Sequence, residues 1–292
     1  KKEMTISYSF HTGMLAVAGG YANIEQSIPP TKFHRVDVED CTATTRTYAH
    51  RGFKEITSYE IEAHGVTADG ASQLLIAIDD ELQDVTNVVT LVDDAVGKVE
   101  KTYFDATLNK WCMVYTAPSE YMERDAQVVV MAKVKGEDKI RLYEVPEIKI
   151  YKMGVGLIHG LNSNAKDCFG GGKKGDGTGG LYGYLVDEVG YEDCQVKLID
   201  YEESNKSSFD YNTWINGVID PHLTELYEDL LANGVVSSRY ALVGHSMGGI
   251  LSRLYVQKIN KAGVGAIITL DTPHWGSEWG DCGGDVVAKV AK

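Results

Sequence analysis

The sequence has 292 residues, 43% hydrophobic and 24% charged, the composition of folded globular domains and long enough for two of ordinary size. The formal net charge is −14 with no lysine- or arginine-rich block, which argues against nucleic acid or an anionic membrane surface as an electrostatic partner. No apolar run approaches the ~20 residues that span a bilayer, and Cys41, Cys112, Cys168, Cys194 and Cys282 form no C-x-x-C pair, so neither a zinc site nor a disulfide framework follows from them.

The chain starts Lys1-Lys2-Glu3 with no methionine and no signal peptide, and its natural N-terminus is expected to lie upstream. Residues 1–56 form a β-containing segment of uncertain organisation. Residues 5–10 alternate like a strand, and residues 27–30 read as a loop. His11, His34, His50 and His64 have no spaced partner and are assigned no chemistry.

Residues 57–150 are all strand and turn. Leu74, Ile76 and Ile78 alternate with Leu75 and Ala77, and residues 88–92 and 111–115 form further runs, the latter ending before Pro118. Residues 127–134 and 139–145 flank Lys135-Gly136-Glu137-Asp138, a hairpin signal. Short strands at this spacing, apolar on both faces, predict a β-sandwich. Val66-Thr67-Ala68-Asp69-Gly70-Ala71 and Tyr115-Thr116-Ala117-Pro118 resemble bacterial immunoglobulin-like modules. The antibody Cys–Trp–Cys spacing is absent, since Trp111 adjoins Cys112. The resemblance implies a spacer, or alternatively a module that contacts a cell surface or glycan. Asp79, Asp80, Glu81 and Asp84 lack the fixed spacing of a calcium loop and read as a solvated turn.

From residue 151 strands and helices alternate. Residues 155–158 predict a buried strand followed by His159-Gly160-Leu161-Asn162. The glycine-rich stretch 168–181 does not meet G-x-x-x-x-G-K-[ST] and reads as a mobile loop at a site mouth. A short helix over 181–189 and a strand over 195–199 follow. Residues 214–231 predict a helix whose buried face is Leu223, Leu226, Tyr227, Leu230 and Leu231, stopped by Asn233-Gly234. Asp220-Pro221 within it predicts a kink, or a fresh start capped by Asp220.

Residues 240–243 predict a strand, and Leu251, Leu254, Tyr255 and Ile259 mark one face of a helix. Between them stands Gly244-His245-Ser246-Met247-Gly248-Gly249, a G-x-S-x-G turn in strand-to-helix context. Gly244 and Gly248 let so sharp a turn close, lifting Ser246 to the helix N-terminus. There the Met247 N–H and the helix dipole can stabilise an oxyanion. His245 is expected to pack beside the turn. A strand over 266–270 then leads into Asp271-Thr272-Pro273-His274-Trp275-Gly276-Ser277.

The serine turn, the His159-Gly160-Leu161 turn at an earlier strand end and Thr272-Pro273-His274-Trp275-Gly276-Ser277 together resemble the α/β-hydrolase lipases and esterases. The implied fold class is α/β: residues 151–292 as an α/β-hydrolase, C-terminally truncated, preceded by the all-β immunoglobulin-like sandwich. The implied activity is carboxylic-ester hydrolysis, triacylglycerol lipase-like, on a small-molecule or lipid ester with no cofactor and no metal. Ser246 is then the nucleophile, Leu161 and Met247 give the oxyanion N–H groups, and Gly160, Gly244, Gly248 and His274 are structural. Asp271 is a candidate acid, although in this fold the acid more commonly comes one strand later. The order serine, acid, histidine leaves only His274 after Ser246, so the catalytic histidine is expected beyond Lys292 and residues 1–292 are expected not to turn over esters appreciably. Alternatives are an acyltransferase or a lipid or glycan deacylase of the same fold, and a surface-binding protein with an inactive hydrolase scaffold. A secreted or cell-surface location is expected from the pairing of the two modules.

Overall fold

The computed structural model describes residues 59–276 except 62, 79–80, 84–87, 107–108, 137–139, 146, 171–178 and 207–209, together with short strand segments at 3–4, 16–18, 21–23, 36–37 and 47–49. The readings made for residues 5–10 and 27–30, for His11, His34 and His50, for Asp79, Asp80 and Asp84, for the centre of the glycine-rich stretch and for Ser277 lie outside the described residues. The chain divides into one unit of Lys1–Arg51, Thr57–Tyr151 and Gly234–Val236, and a second of Gly52–Ile56, Lys152–Asn233 and Ser237–Lys292.

In the first unit, Gln73–Ile78 runs antiparallel to Lys110–Thr116, with Gln73 opposite Thr116 and Ile78 opposite Trp111. Lys98–Val99 and Tyr103–Asp105 pair with the other edge of Lys110–Thr116. A further sheet sets Val88–Leu91, Val128–Lys133 and Ile140–Glu144 side by side, all antiparallel. The last two strands form the hairpin expected around Gly136, whose φ of 85° suits glycine. Leu74, Leu75, Ile76, Ala77 and Ile78 are all buried, as are Val128, Val129, Val130, Met131 and Ala132. Both faces of these strands are therefore covered, which is why their sequences run apolar without clean alternation.

A three-stranded parallel sheet places Gly65–Thr67 between Lys149–Tyr151 and Val235–Val236. The turn leaving Gly65–Thr67 is tied by the buried Asp69 carboxylate. It accepts the Ala71 and Ser72 amides at 2.8 and 2.7 Å and the Thr67 and Ser72 hydroxyls at 3.0 and 2.7 Å. The Thr67-Ala68-Asp69-Gly70-Ala71-Ser72 run is thus a folded turn with a carboxylate at its centre.

The second unit is built on four parallel strands: β1 (Gly154–Ile158), β2 (Val196–Ile199), β3 (Tyr240–His245) and β4 (Val264–Leu270), in the spatial order β2-β1-β3-β4. The helices between them are α1 (Ala165–Phe169), α2 (Gly180–Gly183), α3 (Asp220–Ala232) and α4 (Met247–Lys258). Every residue of β1 is buried, as in a parallel sheet with helices on its faces. Leu223, Leu226, Tyr227 and Leu230 form the buried face of α3. Gly156 admits α3, since a Cβ there would stand 2.9 Å from Leu223 Cδ2. β4 lies at the edge of this sheet among the described residues, with Ile267, Ile268 and Leu270 exposed.

Two local expectations change. α2 runs on as π-helix over Tyr184–Glu188, and α3 is preceded by π-helix over Asn212–Ile219. Asp220 does not cap a fresh helix: Ile219 is itself helical at φ −64° and ψ −48°, so no chain end is free there, and the Asp220 carboxylate accepts the Tyr255 hydroxyl at 3.1 Å instead. Pro221 is accommodated where the wide π-turn passes into α-helix.

Candidate active site

β3 lies between β1 and β4, so the residue leaving its C-terminal end is flanked by the ends of two neighbouring strands. That residue is Ser246. It takes φ 51° and ψ −118°, outside the helical and extended regions, and α4 begins at Met247 directly after it. A non-glycine residue held there stores strain of about 1–3 kcal/mol. Its backbone is pinned on both sides: the Ser246 N–H donates to the Leu270 carbonyl at 2.7 Å, and the Ser246 carbonyl accepts from the Gly249 N–H at 3.2 Å.

The surrounding glycines leave no room for side chains. A Cβ on Gly244 would stand 2.4 Å from the Gly249 nitrogen, one on Gly248 2.1 Å from the Ile158 carbonyl oxygen, and one on Gly249 2.0 Å from Thr272 Oγ1. A Cβ on Gly160 would meet Ser246 Cβ and His245 Nδ1, each at 3.0 Å. The turn after β1 and the turn after β3 are therefore in contact, and the sequence-predicted residues Gly160, Leu161, Ser246 and Met247 fall in one place. Leu161 N–H makes no hydrogen bond among the described residues, and Met247 is the first residue of α4.

The register of β3 with β4 pairs His245 with Leu270, so Ser246 and Asp271 leave adjacent strand ends. Asp271 has φ 48°. His245 Nδ1 lies 3.5 Å from Cys168 Sγ, and burial raises the Cys168 thiol above its ordinary range. His274 lies with Nδ1 3.0 Å from the Arg253 guanidinium and Nε2 3.1 Å from Thr269 Oγ1. A guanidinium only donates, so His274 Nδ1 accepts and Nε2–H faces the threonine.

His159 is fully buried. Its Nδ1 is 2.9 Å from the Gly160 carbonyl, its Nε2 accepts the Tyr201 N–H at 3.1 Å, and its ring stacks on that of Tyr201 at 4.0 Å. Burial pushes its pKa down, opposed by the Gly160 carbonyl and by Asp200, whose carboxylate is 3.4 Å from Nε2. Nothing in the sequence pattern marks Cys168, Tyr201, Asn205 or Arg253 as neighbours of the site; Cys168 comes from α1, Arg253 from α4, and Tyr201 and Asn205 from the segment that follows β2.

Residues 213–280 match the family model of the PGAP1-like alpha/beta domain. This stretch is similar to an α/β-hydrolase-type domain. The PGAP1-like match takes in α3, β3, the Ser246 turn, α4 and β4, and it supports an α/β-hydrolase-type fold for the second unit.

Proposed function

We propose that the second unit is a serine carboxylic-ester hydrolase of the lipase or esterase kind, acting on a small-molecule or lipid ester. The observation that carries this reading is Ser246 at φ 51° immediately before α4, against Gly160. The match to a PGAP1-like domain over residues 213–280, which include Ser246, supports a lipid-related substrate. Ser246 Oγ attacks the acyl carbon as an imidazole base takes its proton. The Leu161 and Met247 amides hold the oxyanion, and losing one such donor costs about 3 kcal/mol of barrier lowering. Collapse expels the alcohol, and water then releases the acyl group from Ser246 by the same steps. Asp271, beside Ser246 at the next strand end, is the proposed acid. His245 and His274 are engaged by Cys168 and by Arg253 and Thr269, and neither is assigned as the base.

A fluorophosphonate probe tests this. In the full-length protein, labelling at Ser246, abolished in Ser246→Ala, with hydrolysis of short p-nitrophenyl esters, supports the reading. Labelling at another residue, or turnover retained in Ser246→Ala, sinks it. The first unit is proposed as an immunoglobulin-like spacer of a secreted or cell-surface protein, for which specific retention on immobilised glycans is the test of a binding role.

A further inference from the structure

We propose that Asn205 and Tyr201 are positioning residues for the oxyanion turn, holding the Gly160 carbonyl so that the Leu161 N–H points to the opposite side. The inference rests on Ser246 as nucleophile and adds residues to that site.

The parallel register of β1 with β2 pairs Ile158 with Ile199, so Tyr201 arrives beside His159. Tyr201 then grips His159 in three ways. Its N–H donates to Nε2 at 3.1 Å, its ring stacks at 4.0 Å with 9° between planes, and its hydroxyl donates to the His159 carbonyl at 2.5 Å. Because Nε2 accepts, the neutral imidazole must carry its proton on Nδ1. Among the described residues the acceptor for that proton is the Gly160 carbonyl at 2.9 Å. Asn205, from the short 3-10 helix Ser204–Lys206, supplies a second donor to the same oxygen, Nδ2 at 3.3 Å. Asn205 is buried, and its Oδ1 has no hydrogen-bond partner among the described residues. Only the donor half of the amide is used.

Two donors on one carbonyl fix a peptide plane. The Gly160–Leu161 peptide is trans, so its N–H points away from its C=O. With the oxygen drawn toward His159 and Asn205, the Leu161 N–H faces the other way and is free of any other bond among the described residues. Gly160 itself lies against Ser246. A peptide flip at this point would present a carbonyl oxygen where the donor belongs. The clamp makes that flip unfavourable, since both donors would lose their acceptor.

The test uses the full chain with Asn205→Asp, which keeps the shape and removes the donor, and Tyr201→Phe, which removes only the hydroxyl. Gly carbonyl-13C and Leu 15N labelling gives signals from three Gly-Leu peptides, at 156–157, 160–161 and 180–181. In Asn205→Asp the 160–161 signal should move while the other two stay. Fluorophosphonate labelling of Ser246 should fall about 10- to 100-fold in its maximal rate, with little change in the probe concentration for half-saturation. Tyr201→Phe should show the same pattern, reduced. A loss of probe affinity alone, or slower labelling with an unmoved 160–161 signal, would mark an effect not transmitted through Gly160 and overturn the proposal. If the full-length wild-type protein is not labelled at all, the hydrolase reading fails, and the carbonyl signal alone decides whether the clamp exists.

Discussion

Gly248 and Ile158 meet backbone to backbone: a methyl group on Gly248 would stand 2.1 Å from the Ile158 carbonyl oxygen. The first turn of α4 therefore rests on the end of β1, one residue before His159-Gly160. Neither partner is a flexible side-chain end, so Gly248→Ala must push the helix off the strand. A loss of about 3 kcal/mol or more is expected, read as a lower unfolding midpoint of the second unit. Gly183→Ala is the control. Its Cβ would meet only Asp187 Oδ2 at 3.8 Å in helical backbone, so the change should be neutral or stabilise by about 1 kcal/mol.

Asp69 makes a comparable claim on the first unit. Four donors converge on its carboxylate, and Asp69→Ala leaves them facing apolar surroundings. Hydrogen bonds to a charged group contribute about 1.5–3 kcal/mol each, not additively, so a total loss of about 4 kcal/mol is expected. Asp69→Asn keeps an acceptor for the two amides, and the hydroxyls can turn to accept from its NH2 group, so it should lose about half as much. Urea unfolding of the three proteins reads the order; equal midpoints would remove the turn from the stability of this unit.

The Ser246 turn was legible because its constraints are local. Glycines at 244 and 248 around Ser246, between an apolar strand and an amphipathic helix, specify a strained turn whatever the rest of the fold does. The His159-Gly160-Leu161 turn was legible as a partner because it too ends a strand. Tyr201 and Asn205 were not, since they lie in the polar segment after β2 and reach His159 and Gly160 only through the pairing of β1 with β2. Val235–Val236 is too short to show a period, and joins Gly65–Thr67 from a distant part of the chain. The π-helical stretch Asn212–Ile219 buries Trp214, Ile215 and Ile219, a spacing that one turn of α-helix also satisfies.

His159 links the site to pH. Burial holds its pKa below the ordinary 6.5, although Asp200 and the Gly160 carbonyl oppose the shift. The unfolded chain therefore binds a proton at a higher pH than the folded one. Stability from neutral His159 is complete above about pH 6.5 and falls as pH drops through that value toward the lowered folded one, by at most about 1.4 kcal/mol per pH unit. Protonation would also oppose Nε2–H to the Tyr201 N–H. Unfolding midpoints between pH 7.5 and 5 should decline in the wild type, and His159→Gln should flatten that part of the curve. Equal slopes would remove His159 from the pH dependence.

Ser246 is the residue whose replacement separates strain from chemistry. At φ 51° and ψ −118° it occupies backbone that glycine adopts freely and L-residues do not. Ser246→Ala removes the hydroxyl and keeps the Cβ, hence the strain. Ser246→Gly removes both. Relief of about 1–3 kcal/mol is offset in part by the about 0.5–1 kcal/mol of chain entropy that glycine loses on folding. A net gain of about 1 kcal/mol for glycine over alanine is expected, or about 3 °C in the melting temperature of the second unit. Neither variant should react with a fluorophosphonate at this position. If glycine melts at or below alanine, the turn is not strained in solution, and its geometry no longer argues for a serine held there against a stability cost.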